Sequence, residues 1–255
     1  MDLLEHNRLA WNKEVSKGNP WTLPATEDEL AAARGGEPRI VLTPHKPIPM
    51  DWLGELRQAH VLCLASGGGQ QGPILAAAGA QVTVFDNSEA QLERDRQAAE
   101  KYNLPIKTVQ GNMQDLSAFP DRSFDLIVHP VSNCFIDDIL PVWRECYRVL
   151  RSPGRLLSGF CNPLIYMIDW EESDQHQRCV IVNAIPYSDL RSLSPRKMQE
   201  HIREKQTFEF GHSLSDQIQG QIAAGFMLTG LYEDKSDELL DQYADTFIAT
   251  RAVKE

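Results

Sequence analysis

Between an apolar run and the helix-forming stretch after it, the chain reads Ser66-Gly67-Gly68-Gly69-Gln70-Gln71-Gly72. Gly67, Gly69 and Gly72 have the spacing G-x-G-x-x-G. Glycine suits these places because a tight turn needs backbone at positive φ, and a ligand approaching the main chain leaves no room for a Cβ. Asp86 closes the next apolar run. A carboxylate there can accept two hydrogen bonds from ribose hydroxyls. Apolar run, glycine loop, helix, apolar run and terminal acid, in that order, predict a site for a nucleotide-type cofactor.

Two histidines stand where they could move a proton. His129 ends the run FDLIVH (124–129); its competing role is to cap a strand end. His212 immediately precedes Ser213-Leu214-Ser215-Asp216, the S-x-x-D form of a capping box, so capping and packing compete with catalysis. Tyr166, Asp169, Tyr187 and Asp189 add ionisable side chains further along. The five cysteines form no C-x-x-C pair and match no zinc ribbon, so no metal site is expected.

These residues need elements to hold them. HVLCLA (60–65) is too short for a helix and is bounded by glycines, so it reads as a buried strand. Residues 81–86, 107–110, 124–129 and 155–160 read as further strands. Residues 70–78, 88–102 and 137–150 read as helices, with Ser88 as an N-cap, Gly79 as a stop and Pro153-Gly154 as a turn. Such alternation implies a parallel sheet with helices on both faces and ligands at the carboxyl ends of its strands. Residues 226–233 and 246–252 read as a closing antiparallel pair, because the segment between them is too short for a crossover helix.

Two chemistries share this layout: dinucleotide dehydrogenases and S-adenosylmethionine enzymes. The run 61–160 resembles the class I S-adenosylmethionine-dependent methyltransferases, especially the group that includes quinone-biosynthesis methyltransferases. VLCLASGGG is similar to their first motif, and VTVFDNSEAQL to their second strand with its ribose-binding acid. GNMQDLSAFPDRSFDLIVH is similar to their adenine loop and fourth strand, and WRECYRVLRSPGRLLSGF to their helix, turn and fifth strand. AGFMLTGLYED and TFIATRA resemble the closing strands.

The resemblance implies a Rossmann-like α/β fold: a mostly parallel seven-stranded sheet, helices on both faces, an antiparallel C-terminal strand pair and a cap insertion after the fifth strand. It implies S-adenosylmethionine as cofactor and S-adenosylhomocysteine as product. Gly67 and Gly69, with Ala65 and Ser66, would face the methionine part. Asp86, with Asn87 beside it, would face the ribose. Asn112 and Met113 would flank the adenine, and His129 would lie near the sulfonium or the acceptor. The chain departs from the family pattern at Cys63, usually an acid, at Ala65, usually a glycine, and at Asn112, commonly an aspartate. An NAD-dependent oxidoreductase and a non-catalytic binder of S-adenosylmethionine or its product are the alternative readings.

Methyl transfer from a sulfonium is an in-line displacement, so positioning supplies much of the rate, and a base is needed only for an acceptor that stays protonated. Residues 1–50 are read as an N-terminal helix and loop segment covering the site, and 51–255 as the methyltransferase domain. Within the latter, 161–211 is too long for a simple loop and is expected to cap the acceptor side, with 180–182 and 208–210 as its strands. Trp11 and Trp21 either complete that roof or anchor the N-terminal segment on the core. His129-Pro130-Val131-Ser132-Asn133 replaces the D/N-P-P-Y/F of enzymes that methylate nucleic-acid bases. The net charge of -11 disfavours nonspecific binding to nucleic acid or an anionic membrane. The expected partner is therefore a small-molecule acceptor. The scattered cysteines, the charged N-terminus and the lack of a long apolar stretch predict a cytoplasmic protein.

Overall fold

The strands of the computed structural model, which describes residues 2–255, fall at the predicted apolar runs. They are β1 (His60–Leu64), β2 (Gln81–Asp86), β3 (Ile106–Gln110), β4 (Phe124–His129) and β5 (Leu150–Cys161), then β6 (Tyr187–Ser188), β7 (Phe210–Gly211), β8 (Met227–Asp234) and β9 (Phe247–Lys254). Seven of them form one sheet in the order β3-β2-β1-β4-β5-β9-β8. The pairs from β3 to β5 are parallel, and β9 runs antiparallel to both β5 and β8. Strand order reverses between β1 and β4, which opens a crevice at their carboxyl ends.

Alternation along β1 explains why it lies at the centre. Val61 and Cys63 pack with Ile74, Leu75 and Leu92 on one face. Leu62 and Leu64 pack with Val142, Trp143 and Cys146 on the other. Helices Gln71–Ala77 and Glu89–Tyr102 therefore cover one face, and Leu140–Val149 the opposite one. Ser88 caps the second of these through its hydroxyl, which accepts the Gln91 N–H at 3.2 Å.

Three local expectations are corrected. The loop part of the 1–50 segment contains a second helix, Glu27–Arg34, held by a Thr26–Glu29 capping box and by burial of Leu30 and Ala33. Pro153 and Gly154 lie within β5 rather than in a turn before it. The 161–211 insertion is mainly helical, with Trp170–His176, Asp189–Ser192 and Pro195–Glu204. Residues 180–182 make only a single bridge, Ile168 to Ile181, because Ile181 and Val182 face solvent and have nothing to pack against. Of 208–210, only Phe210 enters a strand.

At Ser213 only half of the expected capping box forms: the Asp216 N–H donates to the Ser213 hydroxyl, but the Asp216 carboxylate accepts that hydroxyl rather than the Ser213 N–H. The first turns are wide, a π-helix at Ser215–Gln219. The Trp143 indole donates to the Asp216 carbonyl and takes it out of the regular ladder.

Candidate active site

The glycine loop is tied to β2 through Asp86. One Asp86 oxygen accepts the Gly67 N–H at 2.9 Å and the other the Ser88 N–H at 2.8 Å. Burial pushes this carboxyl above the ordinary carboxylate range, and the N–H groups of Ser88, Gly67 and Asn87 oppose that shift. Gly68 and Gly69 have φ of 111° and 77°, as the tight turn requires, and a Cβ on Gly72 would lie 2.8 Å from Val84. Ala65, where the resembled family has glycine, holds φ of 46°.

A second carboxylate lies beneath the loop. Asp95, fully buried on helix Glu89–Tyr102, accepts the Gly68 N–H at 3.0 Å, and its other oxygen has no partner. Burial pushes its carboxyl up to about 8. Its charge also helps to raise the buried Cys63 thiol on β1. Asp95 thus holds the glycine loop from the helix that follows β2. The sequence carries a signal for it: Leu92, Asp95 and Ala98 share the core-facing stripe.

Above the loop lies a cavity of about 370 Å³. Ala65, Ser66, Gly67, Asp86, Asn87, Asn112 and Met113 line it on the β1–β2 side. Cys134, Cys161, Ile165, Glu209 and Phe247 line the β4–β5 side. Gly69 belongs to the same loop but packs outward against Pro24 and the Arg94 carbonyl. Asn112 folds back, its side-chain oxygen accepting the Gln114 N–H at 3.0 Å. Asn87 donates to the Leu4 carbonyl, which ties the cofactor side to the first helix, Leu3–Lys17.

That helix forms part of the wall through Leu4, Asn7, Arg8 and Trp11. Asn7 pins it: its amide donates to the carbonyls of Phe135 and Phe208 and its oxygen accepts the Phe208 N–H. Trp11 meets Phe135 edge-on at 5.2 Å between centroids. Trp21 is about half exposed at the rim, while Ala25 N–H donates to the Gly69 carbonyl and holds the segment on the loop.

Neither candidate histidine is among the residues that line the cavity. His129 is fully buried, one ring nitrogen against the Leu64 carbonyl at 2.8 Å and the other against the Asn133 side-chain oxygen. Burial holds its imidazole below the usual range. His212 Nε2 faces the carbonyls of Asn133 and Ile136. Both rings brace the loop after β4. Replacing His129 with Ala should therefore cost about 2–4 kcal/mol of stability through unpaired buried groups. Denaturant unfolding will measure that loss; a variant of native stability would return His129 to the list of candidate bases.

A family profile described as a methyltransferase domain matches residues 62–158. An uncharacterized methyltransferase of Bacillus subtilis (strain 168), YbaJ, is 52% identical over 252 residues, 99% of this chain and 98% of that one. This chain belongs to the class I S-adenosylmethionine-dependent methyltransferases. The fold agrees: a Mesorhizobium loti S-adenosylmethionine-dependent methyltransferase superposes with a TM-score of 0.61 at 18% identity, covering 80% of this chain and 94% of that one. A Burkholderia thailandensis 1,6-didemethyltoxoflavin-N1-methyltransferase, solved with its acceptor and S-adenosylhomocysteine, gives 0.60 at 14% identity over 98% and 88%.

The methyltransferase cavity suits its cofactor chemically. Each Asp86 oxygen accepts one main-chain hydrogen bond and keeps a further lone pair for a hydroxyl donor. Gln91 lines the same wall, its Oε1 buried without a hydrogen-bond partner. The volume lies in the range of small-molecule sites.

On the far side the methyltransferase carries a network that sequence reading named only in part. Tyr166 OH donates to Glu209 Oε2 at 2.9 Å, and its ring stacks on Tyr187 at 5.4 Å. Tyr187 OH donates to Asp189, which in turn accepts the Glu209 N–H at 2.7 Å. Asp169 lies outside the network and caps helix Trp170–His176. Burial pushes the Glu209 carboxyl up to about 7, the Tyr166 hydroxyl holds it down, and the Asp189 charge adds to the rise. No local pattern marks Glu209, because its partners come from distant parts of the chain. Among the described residues, no group of three or more His, Cys, Asp or Glu is arranged to hold a metal ion.

Proposed function

We propose that this methyltransferase transfers its methyl group to a small, largely apolar acceptor held in the same cavity as the cofactor. The observation that carries the reading is continuity: one cavity runs from Gly67 and Asp86 to Cys161 and Phe247. In this reading Asp86 takes the ribose hydroxyls, Gly67, Ser66 and Ala65 face the methionine part, and Met113 and Asn112 flank the adenine. The bound cofactor supplies an activated methyl group on a sulfonium. The protein's part is to hold the acceptor in line and exclude water, with Trp11 and Phe135 on one wall and Ile165 and Phe247 on the other. The acidic net charge supports an acceptor other than nucleic acid. No helix among the described residues is long and apolar enough to cross a membrane. The five free thiols support a reducing compartment, and we place the enzyme in the cytoplasm on that ground.

Two measurements test this. Calorimetric titration with S-adenosylmethionine, S-adenosylhomocysteine and NAD should give binding for the first two alone. Incubating the enzyme with methyl-labelled cofactor and a fractionated cell extract should then put label in the acid-soluble, small-molecule fraction. Label that precipitates with protein or nucleic acid would replace the small-molecule reading.

A further inference from the structure

We propose that Glu209 is the catalytic base of this methyltransferase, and that the acceptor is a phenolic or enolic hydroxyl bound on the β4–β5 side of the cavity. The inference rests on the cofactor occupying the Gly67–Asp86 side, as proposed above.

The cavity has two carboxylates among its described lining residues, Asp86 and Glu209. Asp86 is committed to the glycine loop and β2. Glu209 sits among Cys134, Cys161, Ile165 and Phe247, a largely apolar setting for a planar acceptor. The one cation of the lining, Arg8, is already paired with Glu5 at 2.6 Å. Glu209 is also held rigidly, its side chain by the Tyr166 hydroxyl and its backbone in both directions by Asp189. Only Oε2 is engaged within the protein, so among the described residues Oε1 has no donor and is available to an incoming O–H. Such a carboxylate, supported by hydrogen bonds and aimed at an apolar space, is how a base is built.

The charges choose the acceptor class. A cationic ammonium acceptor would have to enter beside a sulfonium. A hydroxyl enters neutral and gains negative charge as it reacts, which the sulfonium favours. In the step, the acceptor oxygen forms a bond to the methyl carbon as the carbon–sulfur bond breaks, with its electron pair left on sulfur. The hydroxyl proton passes to Glu209 and then to water. The groups facing Glu209 are Tyr166, Asp189, Tyr187, Cys134 and Cys161. Burial is the largest cause of the rise of Glu209 to about 7, the Tyr166 hydroxyl opposes it, and Asp189 adds to it.

The test compares the whole wild-type chain with Glu209→Gln and Glu209→Asp, using catechol and 1-naphthol as hydroxyl probes and aniline and benzylamine as amine probes. Wild type should methylate a hydroxyl probe with a rate that rises with pH through about 7. Glu209→Gln should lose that limb and about 10²–10⁴-fold in kcat, and Glu209→Asp should restore part of both. A readout free of turnover is the affinity of 1-naphthol for the S-adenosylhomocysteine complex, which should rise from pH 6 to pH 8 in wild type and stay flat in Glu209→Gln. Unchanged kcat and pH limb in Glu209→Gln, methylation of amines alone, or no hydroxyl binding by a complex that still holds S-adenosylhomocysteine would each overturn the proposal. Failure to bind S-adenosylhomocysteine at all would instead remove the cofactor reading beneath it.

Discussion

Replacing Asp86 with Ala should weaken S-adenosylhomocysteine binding by at least about 100-fold. Two hydrogen bonds from ribose hydroxyls to a carboxylate contribute about 1.5–3 kcal/mol each, and about 1.4 kcal/mol is tenfold in affinity. The glycine loop loses its tie at the same time, since the Gly67 N–H donates to the same side chain. Asp86→Asn is the more informative variant. Both carboxylate oxygens accept main-chain N–H groups, so an amide must turn its NH₂ toward either Gly67 or Ser88 and face donor with donor. It should therefore bind nearly as poorly as the Ala variant, despite its matched shape. Calorimetry gives the affinity, and a melting curve without ligand separates loop damage from lost contacts. Native affinity in Asp86→Ala would move the ribose elsewhere in the cavity.

The same residues illustrate what could be read without coordinates. Asp86 and the glycine loop were legible because their chemistry is local: a strand, a turn and a helix within one stretch of chain. The positions of the strands along the chain followed from apolar runs too short for helices. His129 was misplaced for a reason that was itself readable. It lies two residues beyond Ile127, so it shares the sheet face that packs on Trp143, and their ring centroids are 6.2 Å apart. A strand end does not by itself aim a side chain at the crevice. Glu209 and Asn7 were beyond reach, because Asn7 meets Phe208 across 201 residues of sequence. The helical character of the 161–211 insertion was missed because apolar triplets such as 180–182 resemble strands, and only tertiary burial makes them so.

Asp95 leads to the largest expected pH dependence of stability. Its carboxyl titrates near pH 8 in the folded chain against an ordinary 3.8. Between those values the folded state holds a proton that the unfolded state has released. The stabilisation from that proton is complete below the ordinary value and is lost as pH rises through about 8. From pH 6 to pH 8.5 the loss is on the order of 2 kcal/mol, or roughly 4–8 °C in Tm for a chain of this size. Glu209 gives a slope of the same sign, and the buried His129 and His212, held low, give the opposite one. The wild-type curve alone is therefore ambiguous. The difference between wild type and Asp95→Asn isolates the one group, because the amide oxygen still accepts the Gly68 N–H without carrying a charge. Wild type should lose stability relative to Asp95→Asn as pH climbs from 6 to 8.5, with the two curves parallel above 9. Parallel curves across the whole range would mean that Asp95 stays ionised beneath the loop, and that the Gly68 N–H is held by a full negative charge at every working pH.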